Sequence, residues 1–141
     1  SVLYEKFNKE KRFVIVDGAM NDLIRPSLYQ ARHKIFALSG GKTLCECKKE
    51  QLEELKFSPC DVVGPICESG DFLAKDRNLP PLNPGDLVVI KSAGAYGFAM
   101  SSNYNTRGRA AEVAVKGGED FLIRRRESFE DVVALEREFL G

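Results

Sequence analysis

Within Gly64-Pro65-Ile66-Cys67-Glu68-Ser69-Gly70-Asp71, a thiol, a carboxylate, a hydroxyl and a second carboxylate fall in five consecutive residues, directly after the apolar pair Val62-Val63. Buried polar groups cost free energy unless they are paired. A strand that ends in this much polar chemistry therefore reads as a loop at the mouth of a sheet, the kind of place where a rigid scaffold presents a site. The Cys67 thiol has three readings: a nucleophile, a proton donor, or a small buried cysteine at a strand end. A nucleophile wants a histidine base, yet His33 is the single histidine and has no orienting partner near it in sequence. Glu68 beside the thiol favours its protonated form by like-charge repulsion, which tilts Cys67 towards general acid.

Two other constellations carry chemistry. Arg25 and Tyr29 stand four residues apart, so they share a face if this piece is helical. A planar guanidinium fork and a phenol on one face can grip a carboxylate. The plainer reading is a surface arginine over a half-buried tyrosine. Tyr96 lies in the turn Ala93-Gly94-Ala95-Tyr96-Gly97, where small residues let backbone N–H groups approach an anion and the phenol can complete a phosphate cradle. This spacing is not the dinucleotide fingerprint, and a tight hairpin around a core tyrosine fits it as well. The run from Met100 to Asn105 is polar and aromatic without a surface period, as expected of a segment that lines something. Arg124-Arg125-Arg126 reads as the solvated end of a hairpin, and His33 as structural.

The elements that must hold these groups are mostly strands. Val2 to Phe7 and Arg12 to Asp17 flank a charged turn and read as a hairpin. Asn21-Asp22 can cap the next segment, and Pro26 suits the first turn of a short helix near 26–34. Pattern is weakest over 40–58 and resumes at Cys60-Asp61-Val62-Val63. A Pro/Gly run leads into the strand Leu87 to Ile90. Ala111 to Val115 and Phe121 to Arg124 form a second hairpin around Gly117-Gly118. Over 128–140, Phe129, Val132, Val133, Leu135 and Phe139 recur at helical intervals behind a Ser128 N-cap, so a carboxy-terminal helix is expected. Short strands, Gly/Pro turns and one terminal helix predict a mostly antiparallel, Greek-key-like β-barrel or sandwich.

At 141 residues the chain is one domain by size, with an apolar fraction of 43% that fits a globular core. Lysine plus arginine equal aspartate plus glutamate at 21 each, so no global field favours nucleic acid or a membrane surface. No apolar run approaches the ~20 residues of a membrane span, and the amino terminus lacks a signal pattern. Four irregularly spaced cysteines do not make a disulfide scaffold. Cys45-Glu46-Cys47 lacks zinc-knuckle spacing, so no metal site is expected. Reduced thiols in a cytoplasmic protein are the expectation.

Together, Asp17-Gly-Ala-Met-Asn-Asp-Leu-Ile-Arg25-Pro26-Ser-Leu-Tyr29, Cys60-Asp-Val-Val-Gly-Pro-Ile-Cys67-Glu68-Ser69-Gly70-Asp71, Ala93-Gly-Ala-Tyr96-Gly and Ser101-Ser-Asn-Tyr-Asn resemble the carboxy-terminal β-domain of the diaminopimelate decarboxylases. These are pyridoxal 5'-phosphate (PLP) enzymes with an alanine-racemase-like fold, which convert meso-2,6-diaminopimelate to lysine and CO₂. The resemblance covers most of the chain, least so over 40–58. It implies that Cys67 returns a proton to the carbon left when CO₂ departs. It implies further that Glu68 binds the distal ammonium, that Arg25 and Tyr29 hold the distal carboxylate, and that Tyr96 reaches substrate and the cofactor phosphate. It also implies a homodimer with the site at the subunit interface. The family's PLP-binding barrel and its Schiff-base lysine have no counterpart in these residues, so the chain alone is expected neither to hold PLP nor to decarboxylate. Gly108 stands where the family commonly has proline. A sister decarboxylase for ornithine, arginine or carboxynorspermidine, or a non-catalytic interaction module, are the alternatives. Glu68 with the Arg25/Tyr29 pair argues against the first.

Overall fold

The structure, a computed structural model, describes residues 1–44 and 56–139. Cys45, Cys47 and most of the unpatterned stretch 40–58 fall outside these residues. In chain order the regular elements are β1 (Val2–Asn8), β2 (Lys11–Val16), α1 (Arg25–Tyr29), β3 (Ile35–Ser39), β4 (Lys42–Leu44), β5 (Ser58–Val63), β6 (Phe72–Leu79), β7 (Leu87–Ile90), β8 (Glu112–Lys116), β9 (Glu119–Arg124) and α2 (Phe129–Val132). Short 3-10 turns occur at Phe98–Met100, Tyr104–Thr106 and Arg137–Phe139.

Both expected hairpins form. β1 and β2 pair antiparallel around Lys9-Glu10, and β8 and β9 around Gly117-Gly118. The strands of the first hairpin then join a four-stranded sheet in the order β1-β2-β5-β6, while β4-β3-β7 make a second sheet. One buried core joins the two. Val14, Val62 and Leu79 from the first sheet meet Ile35 and Ala37 from the second, with Val2, Leu23 and Leu82 alongside. Burying one such aliphatic side chain stabilises by roughly 1.5–3 kcal/mol. One buried cation in this region is extensively paired. Arg12, 3% exposed, bridges four strands by donating to the Glu5 carboxylate, the Ser58 hydroxyl and the Leu79 carbonyl.

The mostly β expectation holds, and two details differ: barrel closure and helical content. The sheets do not close into a barrel among the described residues: they form three separate sheets with open edges. Pairing is mostly antiparallel, as expected; the exception among the described residues is β2, which lies parallel to β5 with Val14 opposite Val62. Parallel neighbours need a long crossover, and here α1, β3 and β4 supply it. Helical content is also smaller than expected. α1 ends at Tyr29 because Gln30 adopts a left-handed conformation (φ 54°), and Asn21-Asp22 does not cap it: Ile24 stands at the N-cap.

The expected helix over 128–140 is reduced to α2 and a 3-10 turn. Its start is legible in the sequence, since Ser128 and Asp131 form a reciprocal capping box. Its continuation fails for lack of packing: Leu135 is 86% exposed and Phe139 83% exposed. Short helices depend on tertiary burial of their apolar face. Among the described residues, no helix is long and apolar enough to cross a membrane.

Candidate active-site surface

α1 is a single turn, opened by Arg25 and stiffened by Pro26 in its first turn. One turn suffices to bring Arg25 and Tyr29 onto one face. The guanidinium carbon of Arg25 lies 5.2 Å from the centroid of the Tyr29 ring and 5.1 Å from that of Tyr96. Two aromatic rings therefore hold one cation, each contact contributing about 0.5–1 kcal/mol at an exposed site. Tyr29 is 58% exposed and Tyr96 55% exposed, so neither is a core tyrosine. In sequence Tyr96 belongs to a separate turn; the fold brings it to the arginine.

Cys67 is a free thiol and exposed, which removes the buried-cysteine reading for this position. The buried cysteine is Cys60, whose thiol donates to the Arg77 carbonyl at 3.3 Å. The loop that carries Cys67 folds on itself. The Glu68 N–H donates to the Ile66 carbonyl and the Asp71 N–H to the Glu68 carbonyl, each at 2.9 Å. One Glu68 oxygen accepts from the Gly70 N–H at 3.4 Å and the other from the Tyr104 hydroxyl at 3.4 Å. The loop also packs against α1, for a Cβ built on Gly70 would stand 2.8 Å from Ser27 Oγ. Thiol and carboxylate thus sit on the loop that abuts the helix bearing the arginine.

Tyr104 is the residue that sequence reasoning passes over. Its run reads as lining something, without a role for any member. The segment is anchored on both sides. Ser102 and Asn21 exchange two hydrogen bonds, at 3.0 and 3.3 Å. Arg107 donates to the Asp17 carbonyl at 2.6 Å. Arg109 donates to Asn103 at 2.6 Å and to Glu127 at 3.1 Å, and Asn103 donates to Glu127 at 2.7 Å. The Arg109 backbone N–H and the Asn103 amide hold the Glu127 carboxyl below the usual carboxylate range. Between these anchors Asn105 and Thr106 adopt left-handed backbone, φ 56° and 58°. Such positions cost about 1–3 kcal/mol each and persist where surrounding bonds over-determine them.

His33 is structural, as expected: 8% exposed, its ring Nδ1 is 3.1 Å from the Lys91 carbonyl. A cleft of about 430 Å³ lies between α1 and β6, lined in part by Gln30, Phe72, Lys75 and Arg77. It includes none of Cys67, Glu68, Arg25, Tyr29 or Tyr96. Cys67, Glu68, Tyr29 and Tyr96 are exposed and Arg25 is half-buried, so the five lie at the surface outside this cleft.

Residues 1–94 match the family described as pyridoxal-dependent decarboxylase, C-terminal sheet domain. The chain is 59% identical over 140 residues to the diaminopimelate decarboxylase of Campylobacter jejuni, covering 99% of this chain and 32% of that protein. It superposes on the crystal structure of Helicobacter pylori diaminopimelate decarboxylase complexed with L-lysine with a TM-score of 0.82 and 47% identity, covering 99% of this chain and 31% of that one. Lysine decarboxylase from Selenomonas ruminantium, at 22% identity and a TM-score of 0.60 over 78% of the chain, shares the fold alone. The chain spans about a third of the length of the relatives it matches most fully. By its sheet architecture and by this match, the chain belongs to the C-terminal sheet domain family of the pyridoxal-dependent decarboxylases.

Proposed function

We propose that the chain is the carboxy-terminal β-domain of a cytoplasmic diaminopimelate decarboxylase, and that it supplies the proton donor and the distal substrate grip. The observation that carries this is the Arg25 guanidinium held between Tyr29 and Tyr96, beside a loop with an exposed thiol and carboxylate. Arg25 receives the distal carboxylate of meso-2,6-diaminopimelate through its fork, and the Tyr29 phenol adds a donor. Glu68 receives the distal ammonium, its carboxylate turned by the Tyr104 hydroxyl. Cys67 delivers a proton from Sγ to the substrate carbon that has lost CO₂.

The residues present fit one edge of a PLP site. An exposed phenol at Tyr96, on a small-residue turn next to a cation, suits the cofactor phosphate. When bound, PLP supplies the electron sink for decarboxylation. Among the described residues nothing encloses Cys67 or Glu68, both exposed, which supports a homodimer whose facing subunit completes the pocket. The chain by itself is proposed neither to hold PLP nor to release CO₂. Incubation with PLP, followed by absorption spectroscopy and a CO₂ assay, checks this, and sustained turnover would refute it.

The substrate is tested with the complete enzyme against meso-2,6-diaminopimelate, ornithine, arginine and carboxynorspermidine. A site built for both distal groups leaves buried polar groups unpaired with an analogue lacking one, so discrimination of about 10⁴-fold in kcat/KM is expected. Comparable turnover of ornithine would overturn the assignment.

A further inference from the structure

The second carboxylate of the Cys67 loop has no part in the substrate grip, yet it is the most enclosed acid near the site. Asp71 is 4% exposed. One carboxylate oxygen accepts from the Ile66 N–H at 2.7 Å, immediately before Cys67. The other accepts from the Met20 N–H at 2.7 Å, in the turn that runs through Asn21 to Arg25. Its backbone carbonyl accepts from the Gly64 N–H at 3.1 Å, closing the base of the loop. Gly64 leaves the carboxylate its space, because a Cβ there would lie 2.7 Å from Asp71 Cγ. A single side chain thus ties together two segments that approach each other only in the folded domain.

We propose that Asp71 is a positioning residue that locks the Cys67-Glu68 loop to the turn leading into Arg25, setting the proton donor at a fixed offset from the distal carboxylate grip. This rests on the decarboxylase reading above. Both bonds run from backbone N–H groups to one buried carboxylate, so the two arms of the site cannot shift independently while it is in place. Charge-assisted bonds of this kind are about twice as strong as neutral ones. Asp71 touches no substrate atom in this account; it acts through Cys67 and Arg25. Gly64 is the matching element, since its missing side chain is what admits the carboxylate.

The test uses the complete enzyme with meso-2,6-diaminopimelate and three variants: Asp71→Ala, Asp71→Asn and Gly64→Ala. Asp71→Ala removes both acceptors. Asp71→Asn keeps one carbonyl oxygen for one N–H and turns an NH₂ towards the other. Gly64→Ala leaves the carboxylate intact but displaces it. Because a misplacement of about 1 Å can cost about 10²-fold, kcat is expected to fall by roughly that factor in Asp71→Ala and by less in Asp71→Asn and Gly64→Ala, with KM rising less than kcat falls. Amide hydrogen exchange supplies a readout that does not depend on turnover. The segments containing Met20 and Ile66 should exchange faster together in all three variants, while β1 and β2 keep wild-type protection. If Asp71→Ala does not fold, the other two carry the test. Folded Asp71→Asn and Gly64→Ala enzymes with kcat and KM within about twofold of wild type would overturn the proposal. So would faster exchange in only one of the two segments. A wild-type enzyme inert towards diaminopimelate, with the coupled exchange intact, would sink the decarboxylase reading and leave the lock itself standing.

Discussion

The four-stranded sheet and the β8–β9 hairpin both carry runs of β-formers, but these end in opposite environments. In the sheet, Val14 and Val62 are fully buried, and Leu79 is 1% exposed. In the hairpin, Val115 is 74% exposed, Leu122 64% and Ile123 67%. Strand propensity is therefore no guide to which part of this chain holds the fold. What separates the regions is cross-sheet packing: β1, β2, β5 and β6 face β3 and β7 across one core, whereas among the described residues β8 and β9 pair only with each other. An isolated two-stranded hairpin is marginal in water. The stability of the chain should reside in the first region, and changes in the second should scarcely register.

The largest expected effect comes from the buried cation. Arg12→Ala takes the guanidinium away from the Glu5 carboxylate, 15% exposed and then held only by the Leu82 N–H among the described bonds, and from the Leu79 and Pro80 carbonyls. Breaking such a pair from one side costs about 3–5 kcal/mol, readable as a lowered midpoint in urea unfolding. Leu79→Ala should follow at about 2–5 kcal/mol, from lost burial plus the residual cavity. In the hairpin, Leu122→Ser should change stability by no more than about 0.5 kcal/mol. A loss from Leu122→Ser as large as that from Leu79→Ala would erase the distinction between the regions.

A subtler difference concerns pH. Glu127 ties the carboxy-terminal segment to the loop bearing Tyr104, and its folded-state carboxyl lies below the ordinary 4.5. A lowered folded value means that this tie stabilises the fold above the unfolded value and is lost as pH falls through the folded one. Acidification below about 4.5 should speed amide exchange over 101–109 before it affects β2 or β5. Simultaneous loss of protection in both regions would show that they unfold as one unit.

Legibility in the sequence follows the range of the interactions involved. The β1–β2 and β8–β9 hairpins rest on local alternation and two-residue turns, so both can be read directly. β6 cannot: Lys75, Asp76 and Arg77 give it the look of a loop, and its strand character comes from pairing with β5 across a bulge. The helix over 128–140 is over-read because its periodicity is real but nothing among the described residues covers its apolar side. In the site, Arg25 with Tyr29 follows from helical spacing, and Cys67 with Glu68 from adjacency. The stacking of Tyr96 on Arg25, the approach of Tyr104 to Glu68 and the two-way bonding of Asp71 all depend on contacts between distant segments. Residue type flags these positions, and only the fold shows which of them meet.

The central claim is that this surface delivers a proton from Cys67 to a substrate gripped by Arg25 and Glu68. The direct measurement is steady-state kinetics of Cys67→Ala in the complete enzyme with meso-2,6-diaminopimelate. Loss of a general acid should lower kcat by about 10²–10⁴-fold while KM moves far less. A turnover number equal to wild type would contradict the account.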